Sequence, residues 1–94
     1  MVFIPVARAE LIDAQTWYEA ECAGLGRRFR VAVDSAAQRM AFAPRQFPMR
    51  FKNLRRAGVK KFPYALFFYI ADDALFVVAC FHSSRDPLQW KMRH

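Results

Sequence analysis

Two apolar runs in the C-terminal half dominate the hydrophobic pattern of the chain. They cover Tyr64–Ala71 and residues 75–82, and they flank the polar pair Asp72-Asp73. Both runs are too apolar for loops, and the polar break between them is too sharp for one continuous helix. Asp tolerates the backbone conformations of a tight turn. The pattern therefore predicts an antiparallel β-hairpin that turns at Asp72-Asp73.

Both predicted strands are apolar on both faces, because successive side chains of a strand point to opposite sides. In the second strand, Phe76, Val78 and Cys80 alternate with Leu75, Val77, Ala79 and Phe81. One face can pack on helices, but the rest of the chain is too small to cover the other face as well. The pattern therefore predicts that a protein partner or a second copy of the chain covers this face.

Two amphipathic helices precede the hairpin, over residues 7–23 and about 26–43. Their apolar stripes are Ala7, Leu11, Ala14, Tyr18 and Cys22 in the first helix, and Phe29, Val33, Ala36, Met40 and Ala43 in the second. Gly24-Leu25-Gly26 ends the first helix and Pro44 stops the second. So short a link predicts an antiparallel αα-hairpin.

Aromatic and basic side chains lie beside these stripes. Trp17 and Tyr18 are predicted to pack against the second helix. Arg27, Arg28 and Arg30 are predicted to be solvated.

The remaining segments are shorter. Residues 2–6 predict a strand, which Pro5 limits to an edge of the sheet or to the start of a helix. Residues 49–54 predict an edge strand, and residues 59–62 either pair with it or lead into the hairpin. Asp86-Pro87 predicts the start of a short helical turn, because Asp at the N-cap and Pro at the first helical position are a favoured pair.

Length and charge narrow the class of partner. The 94 residues predict a single domain, 1–94. Residues 48–94 hold nine basic and three acidic groups, whereas residues 1–47 hold six and five. A basic half favours nucleic acid or an acidic protein segment as partner, although a merely soluble basic surface explains the charge as well.

The cysteines and the N-terminus indicate a cellular compartment. Cys22 and Cys80 lie in apolar surroundings, without metal-site spacing to the two histidines. We therefore expect buried free thiols, no metal and no cofactor, in a reducing cytoplasm. Arg8 and Glu10 interrupt the apolar start, which argues against a signal peptide. The paired Asp residues argue against a membrane span over residues 62–81.

Two groups of residues remain as carriers of function. The first is a basic cluster interleaved with aromatic residues: Arg50, Lys52, Arg55, Arg56, Lys60 and Lys61. The cluster is compatible with contacts to RNA or DNA, and it is also typical of a solvated edge that prevents strand mispairing. Lys60 and Lys61 are adjacent, so a strand would direct them to opposite faces.

The second group follows the hairpin. His82 ends the second strand and is near Arg85 in sequence; such a His can transfer a proton, or it can bond a loop carbonyl in a structural role. Arg85 can hold a phosphate through two hydrogen bonds, pair with Asp86 or clamp the tail. Trp90 and Arg93 of the tail complete the candidate binding residues.

Five pieces of sequence occur in order over nearly the whole chain: A-R-A-E-L-I-D-A-Q-T-W-Y-E, G-L-G-R-R-F, A-P-R-Q-F-P, K-F-P-Y and H-S-S-R-D-P-L-Q-W. Together they resemble the ParE/RelE superfamily of toxins from bacterial type II toxin–antitoxin systems. The resemblance implies an α+β fold: an N-terminal strand and an αα-hairpin packed on one face of a small, mostly antiparallel sheet, with a short C-terminal helical tail. It also implies a cytoplasmic bacterial protein that arrests growth, and a cognate antitoxin whose C-terminal segment wraps the sheet.

The superfamily divides over its target. RelE-like members cut mRNA on the ribosome without a metal, using basic side chains and a Tyr or His, whereas ParE-like members inhibit DNA gyrase and are not enzymes. This sequence is more similar to ParE and its plasmid-stabilisation relatives, through W-Y-E, G-L-G, F-P-Y and H-x-x-R-D-P. Its last tyrosine, Tyr69, lies in mid-strand, so only His82 or His94 could assist catalysis.

The resemblance therefore implies a gyrase inhibitor first. One alternative is a ribosome-dependent mRNA endoribonuclease that uses Arg85, His82 and the basic cluster. The other is an inactive relative that only forms a complex with its antitoxin.

Overall fold

A computed structural model describes residues 1–84 of the chain. Helices and strands follow in the order β1 (Val2–Phe3), α1 (Pro5–Glu21), α2 (Leu25–Phe42), β2 (Met49–Phe51), β3 (Leu54–Gly58), β4 (Tyr64–Ala71) and β5 (Ala74–His82), with a 3-10 turn at Pro44–Gln46. The predicted α+β class is confirmed. The helical turn predicted at Asp86-Pro87 lies outside the described residues.

The five strands form one mixed sheet in the order β1-β5-β4-β3-β2. β1 runs parallel to β5, and the other neighbouring pairs are antiparallel. β1 and β2 therefore lie at the edges, as predicted, but the strand expected over residues 49–54 ends at Phe51, and Leu54 begins β3. Pro5 stands in the first turn of α1, where its missing N–H costs no hydrogen bond. Residues 59–62 form no strand and instead lie in the connection between β3 and β4.

The link between the helices depends on Gly24 and on a carboxylate of α1. Gly24 adopts the left-handed conformation, with φ of +89°, immediately before α2. Glu19 accepts hydrogen bonds from the backbone N–H groups of Gly24 and Gly26, at 2.9 and 3.0 Å. The N–H groups at the start of a helix have no partners within the helix, so Glu19 satisfies two of them. Its negative charge also interacts favourably with the positive end of the helix dipole. The predicted αα-hairpin is confirmed.

The helix stripes and one face of the sheet form the larger core. Its helical members are Ala7, Leu11, Ala14, Phe29, Val33, Ala36 and Met40. Tyr18 packs among Phe29, Phe62 and Tyr64, with ring centroids 5.0 to 6.1 Å from its own.

Two side chains of α1 depart from the predicted packing. Trp17, on the flank of the stripe, is 57% exposed and makes an edge contact with Tyr18, so it packs less closely than predicted. Cys22 is exposed, because it follows the last residue of α1 in an extended conformation. The prediction of two buried thiols is therefore wrong for Cys22 and confirmed for Cys80.

The β4–β5 hairpin turns where predicted. Asp72 and Asp73 have φ of +50° and +61°, as a two-residue type I′ turn requires. The apolar residues 62–81 thus belong mostly to strands. Within residues 1–84, no helix has both the length and the apolar character needed to cross a bilayer.

A bulge in β5 breaks the predicted alternation. Phe67 is paired with Ala79 and Phe68 with Val77, so Val78 is an extra residue in β5. The side chains of the strand therefore change faces at this point. Val77 and Cys80 share the larger core under the helices, whereas Val78 belongs to the opposite face.

The second face of the sheet is not bare. Its buried residues are Leu54, Ala65, Phe67, Val78, Ala79 and Phe81. Ile4, Phe51 and Tyr69 pack against this cluster. Even Phe81 is only 3% exposed. The expectation that the chain leaves these six side chains uncovered is therefore wrong, and the contact of a partner with this face or with the sheet edge stays a prediction.

Candidate functional site

One end of the sheet brings His82 close to the turn that carries Lys60 and Lys61. His82, at the end of β5, is paired with Tyr64, at the start of β4. The N–H of Ser83 donates to the carbonyl of Pro63 at 2.7 Å. The connection between β3 and β4 therefore ends beside the residues that follow β5.

The imidazole of His82 is held by its own turn. Nδ1 accepts a hydrogen bond from the backbone N–H of Ser84 at 3.1 Å, and it lies 2.7 Å from the Ser84 hydroxyl oxygen. A backbone amide can only donate, so in the neutral ring Nε2 carries the proton. The ring also meets Tyr64 edge to face, with centroids 5.2 Å apart. The hydrogen-bond partner of the ring is thus a backbone amide. The structural role predicted for His82 had expected the carbonyl of a loop residue instead.

Lys60 and Lys61 lie on the same side of their turn. Both are exposed, and Lys61 has a left-handed backbone with φ of +70°. Together with Phe62 they line one cavity beside α2. The sequence predicted opposite faces for the two lysines on the assumption of a strand, but both residues lie in a turn.

Arg50 and Lys52 lie at the other end of β3. Both are exposed on the short β2–β3 hairpin, and Lys52 Nζ lies 5.3 Å from the centroid of the Phe51 ring. The five residues of β3 separate this hairpin from Lys60 by roughly 15 Å at the usual rise of a strand. The basic cluster of the sequence is therefore divided into two surfaces.

Arg55 and Arg56 point to opposite faces of β3. Arg55 is only 9% exposed, and its Nη1 donates to the carbonyls of Arg45 and Phe47 at 3.2 and 2.7 Å. Arg56 is paired with Phe67 and half-buried on the second face. Successive side chains of a strand point to opposite faces, so Arg55 and Arg56 cannot act on one surface. Arg55 instead makes a structural contact with the 43–47 connection.

Two arginines of α2 join the site, and both are exposed to solvent, as predicted. Arg27 and Arg28 line the same cavity as Lys60 and Lys61, which has a volume of about 670 Å³. No spacing in the sequence indicates this grouping, because the two pairs are more than thirty residues apart. Four cations from two elements thus surround one concave surface.

Tyr18 lies beneath this end of the sheet. It contacts Tyr64, the residue that meets His82, and burial raises the pKa of its phenol above the ordinary value of 10.0. Among residues 1–84, no three His, Cys, Asp or Glu side chains come together as a metal site. Arg85, Trp90 and Arg93 lie outside the described part of the chain, and their roles stay predictions.

Comparison with known proteins identifies the family. No curated protein matches the chain. The family model described as the ParE toxin of the type II toxin–antitoxin system parDE matches residues 2–87, which include every helix and strand described above. The chain therefore belongs to the ParE toxin family of type II toxin–antitoxin systems, in which its partner is an antitoxin.

Proposed function

We propose that this toxin arrests growth by binding an essential cytoplasmic target, with DNA gyrase as the best candidate, and that its cognate antitoxin neutralises it. In this proposal residues 1–94 act as one toxin domain, and the inhibited form is a hetero-oligomer with the antitoxin. Membership of the ParE family supports the toxin role.

The observation that favours binding over catalysis is the division of the basic cluster between two surfaces. Nδ1 of His82 is engaged by Ser84, within the same turn, so only Nε2 of this ring could serve a reaction. Cleavage of RNA would require a cation and a proton-transfer group to act on one phosphate. Arg55 is committed to two backbone carbonyls, and Arg50 and Lys52 lie at the far end of β3.

The proposed contact residues fall on two basic surfaces. Lys60 and Lys61 form one with the arginines of α2, and Arg50, Lys52 and Arg56 form the other along the β2–β3 edge. From the sequence alone, Arg85, Trp90 and Arg93 are further proposed contacts with the target or the antitoxin.

A second candidate function is cleavage of mRNA on the ribosome. The proximity of His82 to the Lys60-Lys61 turn favours it. In this reaction the ribose 2′-oxygen attacks the adjacent phosphorus and the 5′-oxygen leaves, which forms a 2′,3′-cyclic phosphate. Nε2 of His82, which carries a proton in the neutral ring, would give this proton to the departing 5′-oxygen, while solvent accepts the proton of the 2′-hydroxyl. The lysines would stabilise the charge on the phosphate.

The decisive experiment expresses the toxin alone in cells and maps both DNA breaks and mRNA 5′ ends. Gyrase-linked DNA breaks with intact mRNA support the first function and exclude the second. If mRNA 5′ ends fall at a fixed position within codons and the DNA is intact, the second function is supported and the first is excluded. Normal growth at a verified level of folded toxin assigns the chain to the inactive relatives.

Neutralisation is tested separately, with the reading frame beside the toxin gene. Coexpression of its product is expected to restore growth, and the two proteins are expected to purify together. Growth arrest that persists in the presence of this soluble product would contradict the pairing.

A further inference from the structure

A second cavity lies between the C-terminal end of α2 and the 43–47 connection. Its volume is about 460 Å³, which is within the range of sites that hold small molecules. We call it the corner pocket. Its lining residues within the described part of the chain are Ser35, Gln38, Arg39, Phe42, Ala43, Gln46 and Phe47.

One wall of the corner pocket is a single face of α2. Four lining residues follow the spacing i, i+3, i+4 and i+7, which places side chains next to one another on a helix: Ser35, Gln38, Arg39 and Phe42. The helix therefore presents a hydroxyl, a carboxamide, a guanidinium and an aromatic ring to the same space.

The opposite wall is already held in place. The ring of Phe47 packs edge to face on Phe68, with centroids 5.8 Å apart. The carbonyl of Phe47 accepts a hydrogen bond from Arg55 at 2.7 Å. The N–H of Gln46 donates to the carbonyl of Ala43 at 3.1 Å. A ligand would therefore lose little free energy in ordering this wall.

The corner pocket contains a guanidinium with an unused donor. Nη2 of Arg39 donates to the carbonyl of Gly58 at 3.1 Å. Nε of the same side chain is buried and has no partner among residues 1–84. Leaving a buried donor of a charged group unpaired is unfavourable. A phosphate supplies the missing acceptor after a small rotation of the side chain, because it can accept two parallel hydrogen bonds from a guanidinium.

Negative charge is absent from the described lining of the corner pocket. No carboxylate of residues 1–84 lines it. Asp34, the acidic residue of α2, pairs instead with Arg30 at 3.3 Å. An anion in the pocket would therefore meet the charge of Arg39 without repulsion from a lining carboxylate.

Phe42 leaves its aromatic ring almost entirely in solvent. It is 91% exposed and is the last residue of α2. The planar base of a nucleotide can stack on such a ring. The carboxamides of Gln38 and Gln46 each offer a donor and an acceptor, as recognition of the edge of a base requires.

We propose that the corner pocket binds a mononucleotide. The phosphate pairs with Arg39, the base stacks on Phe42, and the carboxamide of Gln46 bonds the edge of the base. An apolar segment of a protein would cover Phe42 but would leave the guanidinium and the two carboxamides without partners. This inference goes beyond the proposed function and does not depend on the target of the toxin.

The test is equilibrium dialysis of the purified full-length toxin against radiolabelled adenosine 5′-monophosphate (AMP). The wild type is expected to bind it in a saturable manner. Phe42→Leu keeps an apolar side chain but removes the ring, and it is expected to bind about tenfold more weakly. Gln46→Glu places a negative charge near the phosphate and is also expected to bind about tenfold more weakly. The matched control Trp17→Leu removes an exposed ring of α1, outside the pocket, and should leave the affinity unchanged.

A nuclear magnetic resonance titration of the wild type covers the case in which a variant misfolds. AMP is expected to shift the backbone amide signals of residues 38–47 and to leave those of residues 9–16 in α1 unchanged. Adenosine lacks the phosphate and ribose 5-phosphate lacks the base. Each is expected to bind at least tenfold more weakly than AMP.

Three outcomes would overturn the proposal. The first is the absence of saturable AMP binding by the folded wild type. The second is equal affinity of the wild type and Phe42→Leu for AMP, or equal affinity of the wild type for adenosine and AMP. The third is a set of amide shifts confined to residues 25–32 and 60–62, which would place the nucleotide in the other cavity.

Discussion

Glu19 and Gly26 hold the helical hairpin together at its narrowest point. The carboxylate of Glu19 accepts a hydrogen bond from the Gly26 amide at 3.0 Å, which joins α1 to the first turn of α2. A Cβ atom at Gly26 would lie 2.7 Å from the carbonyl oxygen of Gln15 and 2.9 Å from the Cβ of Glu19. The helices can therefore approach this closely only because residue 26 has no side chain.

Replacing this glycine should destabilise the fold. We expect Gly26→Ala to lower the free energy of unfolding by about 1–3 kcal/mol, because the Gln15 carbonyl is backbone and moves only with α1. Urea titration monitored by circular dichroism measures the change. Gly58→Ala is the matched control, since its new Cβ would meet only Arg56 Nη1, at 3.7 Å. Equal stability of the two variants would contradict the close approach.

Arg55 should prove structural when it is removed. We expect Arg55→Met to lower the free energy of unfolding by about 2–4 kcal/mol, because the carbonyls of Arg45 and Phe47 lose charged hydrogen-bond donors. Thermal unfolding measures the loss. Arg50→Met, at an exposed position, should stay within about 0.5 kcal/mol of the wild type. If Arg55→Met is as stable as the wild type but binds the target more weakly, Arg55 contacts the target and is not a structural residue.

His82 should matter more for toxicity than for folding. His82→Ala removes a half-buried ring that contacts Tyr64 and Ser84, at a cost of about 1 kcal/mol in stability. We expect a larger effect on growth arrest, measured as surviving colonies after induction at matched soluble toxin levels. Ser84→Ala is the control, because it keeps the backbone amide that donates to Nδ1. Parallel losses of toxicity and stability would make His82 a structural residue; the same prediction holds for Arg85, from the sequence alone.

Alkaline pH should weaken the fold through Tyr18. Burial raises the pKa of its phenol above 10.0, so above pH 10 the unfolded chain loses this proton more readily than the folded chain. The unfolded state then binds fewer protons, and the free energy of unfolding falls as the pH rises. We expect Tyr18→Phe to show a shallower fall above pH 10 in urea titrations. Parallel curves for the two proteins would assign the alkaline loss to other groups.

The helices and the main hairpin were predictable because local patterns define them. The stripe around Phe29 has a clear helical period, and Asp72-Asp73 provides the one polar break between two apolar runs. The bulge at Val78 was not predictable, because both faces of β5 are apolar and a change of face leaves no trace in polarity.

The candidate site was harder to predict for a different reason. Sequence proximity grouped Arg50 with Lys60, but β3 separates them and directs Arg55 into the protein. The partners of Lys60 come instead from the start of α2. Long-range packing brings these cations together, and no local pattern encodes it.

The parallel pairing of β1 with β5 also governs when the toxin becomes complete during synthesis. Val2 pairs with Phe76, so a nascent chain cannot close its sheet until residue 76 has left the ribosome. Contacts between such distant residues form late, because a long loop must close first. Until β5 has emerged, β1 therefore has no strand with which to pair.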